Sequence, residues 1–159
     1  MRNPLNLLFL SASVLLILPG CSLPGSNVAQ NTFTSIHDAI TKAIPLQCEY
    51  TDDTGEKTIA LIKGNQVRLD SAATNTTSTA FHGIIRENKM WIWADEPKEG
   101  GILDFSKITD DSVKMGDKVI RSQDDIIAKL EENKDTCKGT IIDDNKFVIP
   151  SDITFQAGN

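Results

Sequence analysis

Two pairs of short runs constrain this chain more than anything else in it. Lys57 to Lys63 and Gln66 to Asp70 are separated only by Gly64-Asn65, and Phe81 to Arg86 and Lys89 to Ala94 only by Glu87-Asn88. The runs are rich in β-branched and aromatic residues, and a two-residue polar connection between such runs is the signature of a β-hairpin. The middle of the chain is therefore predicted to be antiparallel sheet. Composition agrees: from residue 21 onward there are 17 Ile and 14 Thr against 6 Leu, a bias that favours strands over helices.

Further strands extend this pattern. Leu46 to Thr51 alternates, with Leu46, Cys48 and Tyr50 on one side and Gln47, Glu49 and Thr51 on the other. Glu96 to Gly101 reads as a turn, Ile102 to Phe105 as a return strand, and Ile149 to Phe155 as a last strand starting after Pro150. Helices are confined to a few places. Ser35 can cap Ile36 to Ile44, whose Ile36, Ala39, Ile40, Ala43 and Ile44 share a face before Pro45 ends the run. Ser122 can cap Gln123 to Glu132, with Asp124 and Asp125 in the first turn and an apolar stripe of Ile126, Ile127 and Leu130. One further turn is read at Ser106 to Asp110. The expected fold is mainly β with short helices, of the α+β class. It is a curved antiparallel meander of about six or seven strands, half-barrel-like, with the helices packed on one face.

The N-terminus sets the location. Met1-Arg2-Asn3-Pro4 is a short basic opening, and Leu5 to Leu18 is apolar apart from Asn6, Ser11 and Ser13. Fourteen helical residues would span about 21 Å, short of a bilayer core of about 30 Å, so this is the apolar region of a signal peptide. It ends in Leu18-Pro19-Gly20-Cys21, which resembles the bacterial lipobox. The resemblance implies that the Cys21 thiol carries diacylglycerol and that the signal is cut before it. Two or three acyl chains, at about 0.8 kcal/mol per buried CH₂, hold a protein permanently on a membrane. The chain thus divides into a signal peptide (1–20), a lipidated Cys21 with a tether (21–32) and one globular domain (33–159). The tether holds Pro24, Gly25, Ser26, Asn27, Gln30 and Asn31, with little to bury.

With Cys21 lipidated, Cys48 and Cys137 remain as an even pair in an exported, oxidising setting, and a structural disulfide between them is expected. No CxxC spacing suggests a redox or metal pair.

Two strands are apolar on both sides. Ile59 and Leu61 oppose Ala60 and Ile62, and Met90 and Ile92 oppose Trp91 and Trp93. A sheet with one face in water alternates cleanly, so both faces meet something apolar. One face is assigned to the helices. The other is covered by loops or the C-terminal segment, or it is a half-open ligand groove lined by Trp91 and Trp93 with Ile62 and Ile84.

Other chemistry is sparse. From residue 21 onward 15 basic residues face 22 acidic ones, which argues against a nucleic-acid partner. His37 and His82 lack an i+4 partner, and lone histidines are usually structural or exposed. The motif pattern contains no nucleophile–base set, no phosphate loop and no calcium loop, so no catalytic residue, metal or cofactor is expected, and the chain is not read as an enzyme. Asp143-Asp144-Asn145 is the one loop whose composition would suit a weak calcium ion.

The layout after the tether carries a looser likeness. A capped helix enters a Cys-bearing strand, the hairpins Ile59 to Arg68 and Ile84 to Trp93 follow, and a tail from Cys137 ends in Phe147 to Phe155. This looks like a group of small bacterial lipoproteins that resemble, more remotely, the LolA, LolB and LppX half-barrels that shield lipid chains. The resemblance implies a lipid-anchored protein facing outside the cytoplasm, in the periplasm or on the cell surface. Its membrane contact is the N-terminal lipid, and it binds or carries an apolar ligand or lipid chain. The alternative is a structural or interaction lipoprotein of the envelope with no small ligand. The sequence identifies no protein partner.

Overall fold

The computed structural model describes residues 32–51, 55–72, 80–109, 113–115 and 118–158. The two hairpins fall where their turns place them. After helix α1 (Ile36–Thr41) come β1 (Leu46–Thr51), β2 (Lys57–Lys63), β3 (Gln66–Ser71), β4 (Phe81–Arg86), β5 (Lys89–Ala94) and β6 (Glu99–Asp104). Gly64 takes φ +56° in the first turn, and Glu87 and Asn88 take φ +52° and +61° in the second, the left-handed geometry that tight hairpins need. A small ribbon, β7 (Lys114–Met115) with β8 (Lys118–Val119), precedes α2 (Gln123–Glu131). The chain closes with β9 (Lys138–Gly139), a 3-10 turn at Asp144–Phe147 and β10 (Thr154–Ala157).

Both helices begin on the predicted serines. The Ser35 side chain accepts from Asp38 N–H, and Ser122 from Asp125 N–H. The Asp125 carboxylate answers by accepting from Arg121 N–H and Ser122 O–H, bonds that hold its pKa below the ordinary value. α1 ends at Thr41, earlier than expected, and Ala43 then turns back at φ +54°.

The main sheet has eight strands in the order β10-β6-β5-β4-β3-β2-β1-β9. It is open, curved and mixed, which corrects the expectation of an antiparallel meander of six or seven strands. Six strands are the meander and two more form its edges: β9 was not expected, and the last strand, expected over Ile149 to Phe155, forms only over Thr154–Ala157 as β10. β9 pairs Lys138 and Gly139 with Gln47 and Leu46, and two residues are too few to leave a periodic signal. β10 runs parallel to β6, with Phe155 beside Gly100. A Cβ at Gly100 would stand 2.7 Å from the Phe155 ring and from the Ile92 carbonyl, so only glycine lets β10 dock there. The residues read as a turn before β6 therefore join the strand from Glu99 onward.

The core lies between the helices and one sheet face. Leu46 and Cys48, Ala60 and Ile62, Val67 and Leu69, Ile85, and Met90 supply the sheet side. Ile36 and Ala39 of α1 and Ile126 and Leu130 of α2 close over them with Phe105 and Ile120. Fully burying a side chain of this size contributes about 1.5–3 kcal/mol.

Candidate functional site

The opposite sheet face decides what this protein can hold. Period two and the register place Glu49, Ile59, Asp70, His82 and Trp93 in one row across it, and Gln47, Leu61, Arg68, Ile84, Trp91 and Ile102 in the next. This face is not open. After β9 at one edge, residues 140–153 cross it as a strap and reach β10 at the other edge. Two apolar side chains of the strap, Ile142 and Phe147, are buried, as are Ile84 and Trp93 of the sheet, with Trp93 only 6% exposed.

Polar bonds fasten the strap. Lys63 Nζ donates to the Ile142 carbonyl at 3.0 Å and pairs with Asp144 at 2.6 Å. Arg68 Nη1 donates to the Lys146 carbonyl at 2.8 Å. Asp143 caps the Asp144–Phe147 turn by accepting from Asn145 N–H. The loop considered for calcium thus spends its carboxylates on these contacts. Among the described residues no group of three or more His, Cys, Asp and Glu side chains is arranged to hold a metal.

Beside the strap lies a polar cluster that the sequence reading missed. Arg68 Nε reaches Asp70 Oδ2 at 2.7 Å, and His82 Nδ1 lies 2.6 Å from Asp70 Oδ1. His82 Nε2 lies 3.1 Å from Asp95 Oδ1. The imidazole stacks on Trp93 at 5.5 Å, Arg68 sits over the same indole at 5.9 Å, and Phe155 meets it edge-on at 6.0 Å. Burial pushes the Asp70 carboxyl up, but the bonds from Arg68 and His82 outweigh it and hold the group below its ordinary pKa. His82 thus bridges Asp70 and Asp95, and the cluster ties β3, β4 and the end of β5 together. Arg68 and Asp70 could have been paired by their i, i+2 spacing on one strand; His82 needed the register of β3 with β4.

The predicted site residues separate. Cys21 lies outside the described residues. Cys48 and Cys137 are joined, with S–S 2.04 Å, and tie β1 to the segment that follows α2. Trp91, Trp93 and Ile84 share the strapped face. Ile62 does not: it points to the helix-covered core, where its neighbours across the sheet are Leu46 and Val67. The four residues do not line one groove. A separate cleft of about 360 Å³ lies where the hairpin turns meet the helices, lined by residues such as His37, Ile40, Asn65, Glu87, Gln123 and Ile127. No family model, curated protein or solved structure matches the chain.

Proposed function

We propose that this chain is a membrane-anchored, extracytoplasmic lipoprotein that serves as a structural or interaction module of a bacterial cell envelope, with no small ligand held by its sheet. The observation that carries the choice is the strap. A half-barrel of the LolA, LolB or LppX kind needs a free apolar face for an acyl chain. Here the helices take one face, and residues 140–153 take the face that bears Trp91 and Trp93. The lipobox ending in Cys21 supplies the anchor, and a bridged Cys48–Cys137 pair suits an oxidising compartment.

The test has two arms on protein isolated from the envelope. Cys21→Ser should abolish incorporation of radioactive palmitate and leave uncleaved precursor; equal labelling of both chains removes the anchor. An environment-sensitive fatty-acid probe should show no saturable binding and no change in tryptophan emission. Saturable binding that perturbs the tryptophans would restore the carrier reading.

A further inference from the structure

The cover of the strapped face is uneven. The strap is fastened near the β2–β3 turn by Lys63 and Arg68, and it rejoins the sheet where Thr154 N–H donates to the Lys98 carbonyl and β10 starts beside Glu99. It therefore crosses obliquely, toward the row of Trp93 and away from the β4–β5 turn. Trp93 is buried, whereas Trp91 and Ile102 are only part-buried and Lys89 is exposed. In that corner Arg86 of β4 pairs with Lys89 of β5, and Lys89 with Asp104 of β6, so these three side chains share the strapped face with Trp91.

Arg86 is the outlier of this corner. Its guanidinium lies over the Trp91 ring, 5.5 Å from the centroid, and its side chain forms no hydrogen bond or ion pair with a described residue. Its Nε is closed off from solvent without an acceptor, the one such side-chain atom among the described residues. Native structures avoid a buried donor left unsatisfied, and one in this state calls for a water, an ion or a ligand. The two Nη atoms are not enclosed with it, so the outer fork of the guanidinium reaches the surface. Further positive charge stands around it. Phe105 N–H donates to the Asn88 carbonyl at 3.0 Å, which sets the turn after β6, with Lys107, against the β4–β5 turn. Arg86, Lys89 and Lys107 thus stand beside two carboxylates, Glu87 and Asp104, in a domain where acids exceed bases by 22 to 15 from residue 21 onward. Asp104 is committed to its own turn, accepting from Ser106 N–H at 3.1 Å and Ser106 O–H at 2.6 Å.

We infer that this corner is where the module meets its partner, and that the partner presents a phosphate group to the Arg86 fork beside Trp91, with Lys89 on a further oxygen. The fork takes two oxygens side by side, and a tetrahedral phosphate keeps another for an ammonium, which a carboxylate does not. The inference rests on the interaction-module reading and names the partner's chemistry. The palmitate and fatty-acid experiments test that reading by other readouts, so either can fail alone. The test uses the mature lipidated chain in neutral detergent, isotope-labelled for nitrogen NMR. The shielded Arg86 Nε–H and the Trp91 indole N–H are the reporters. Inorganic phosphate should shift both saturably in the millimolar range, while chloride or acetate at equal ionic strength should not. With circular dichroism unchanged, Arg86→Gln should abolish saturation at Trp91. Arg86→Lys, which keeps the charge without the fork, and Lys89→Gln should each weaken it about two- to fivefold. Glycerophosphoglycerol, the soluble headgroup of an anionic lipid, separates the sources: tighter binding than phosphate assigns a lipid headgroup, and equal or weaker binding a free or terminal phosphate. Shifts that grow linearly with phosphate, that acetate reproduces, or that survive Arg86→Gln overturn the site.

Discussion

At the scale of single residues, the Arg68–Asp70–His82 contacts show how a charge is made useful in a partly buried place. Asp70 sits where burial alone would favour its neutral form, yet Arg68 and His82 keep it ionised. Asp70→Asn keeps the shape and removes the charge, and should cost about 1.5–3 kcal/mol at pH 7, the scale for hydrogen bonds to charged groups. The folded-state pKa lies below the ordinary 3.8, so this stabilisation is complete above the unfolded value and is lost as pH falls through the folded one. Denaturant midpoints should therefore differ at pH 7 and converge as pH falls through the folded-state value, which lies below 3.8. A gap that stays constant down to that pH would mean the charge contributes nothing. Only half of this was legible in the sequence. The alternation put Arg68 and Asp70 on one side of a strand, but His82 joins them only through a register that no local pattern states.

At the scale of elements, sequence reading succeeded where local chemistry is sufficient and stopped where it is not. Ser35 and Ser122 fixed two helix starts, and Gly64 and Glu87-Asn88 fixed two hairpins with their strand bounds. Two-sided apolar strands correctly implied that both sheet faces are covered. A cover by loops or the C-terminal segment was one of the two expectations, but its path was hidden, because residues 140–153 are not the strand expected from Ile149 onward: their cohesion comes from two inward side chains and from carbonyls that Lys63 and Arg68 reach across long sequence distances. Phe147 is the larger of those side chains, 2% exposed. Phe147→Ala should destabilise the protein by about 3–5 kcal/mol, the usual loss for a buried aromatic ring. It should also move tryptophan emission to the red as the strap loosens over Trp93. Loss of stability with unchanged emission would mean that the strap does not shield the indole.

At the scale of the whole molecule, one covalent bond and one crossing segment close the structure. The Cys48–Cys137 bond joins residues 89 apart, and the chain-entropy model assigns such a loop about 4–5 kcal/mol. Replacing both cysteines by alanine should lower the urea midpoint accordingly, with the larger effect on unfolding of the segment after α2, measured by hydrogen exchange. Equal midpoints for bridged and bridge-free protein would refute this. The strap has a second consequence, visible at the rim of the sheet. β9 and β10, the strands it connects, have two and four residues, whereas the strands they border, β1 and β6, have six each. Very short edge strands offer little backbone for a foreign strand to pair with. A chain cut after α2 would lose both at once and free the backbone of Leu46 and Gln47 at one edge and of Glu99–Ile102 at the other, so the same segment that covers a face also shortens the edge that a neighbouring copy could pair with.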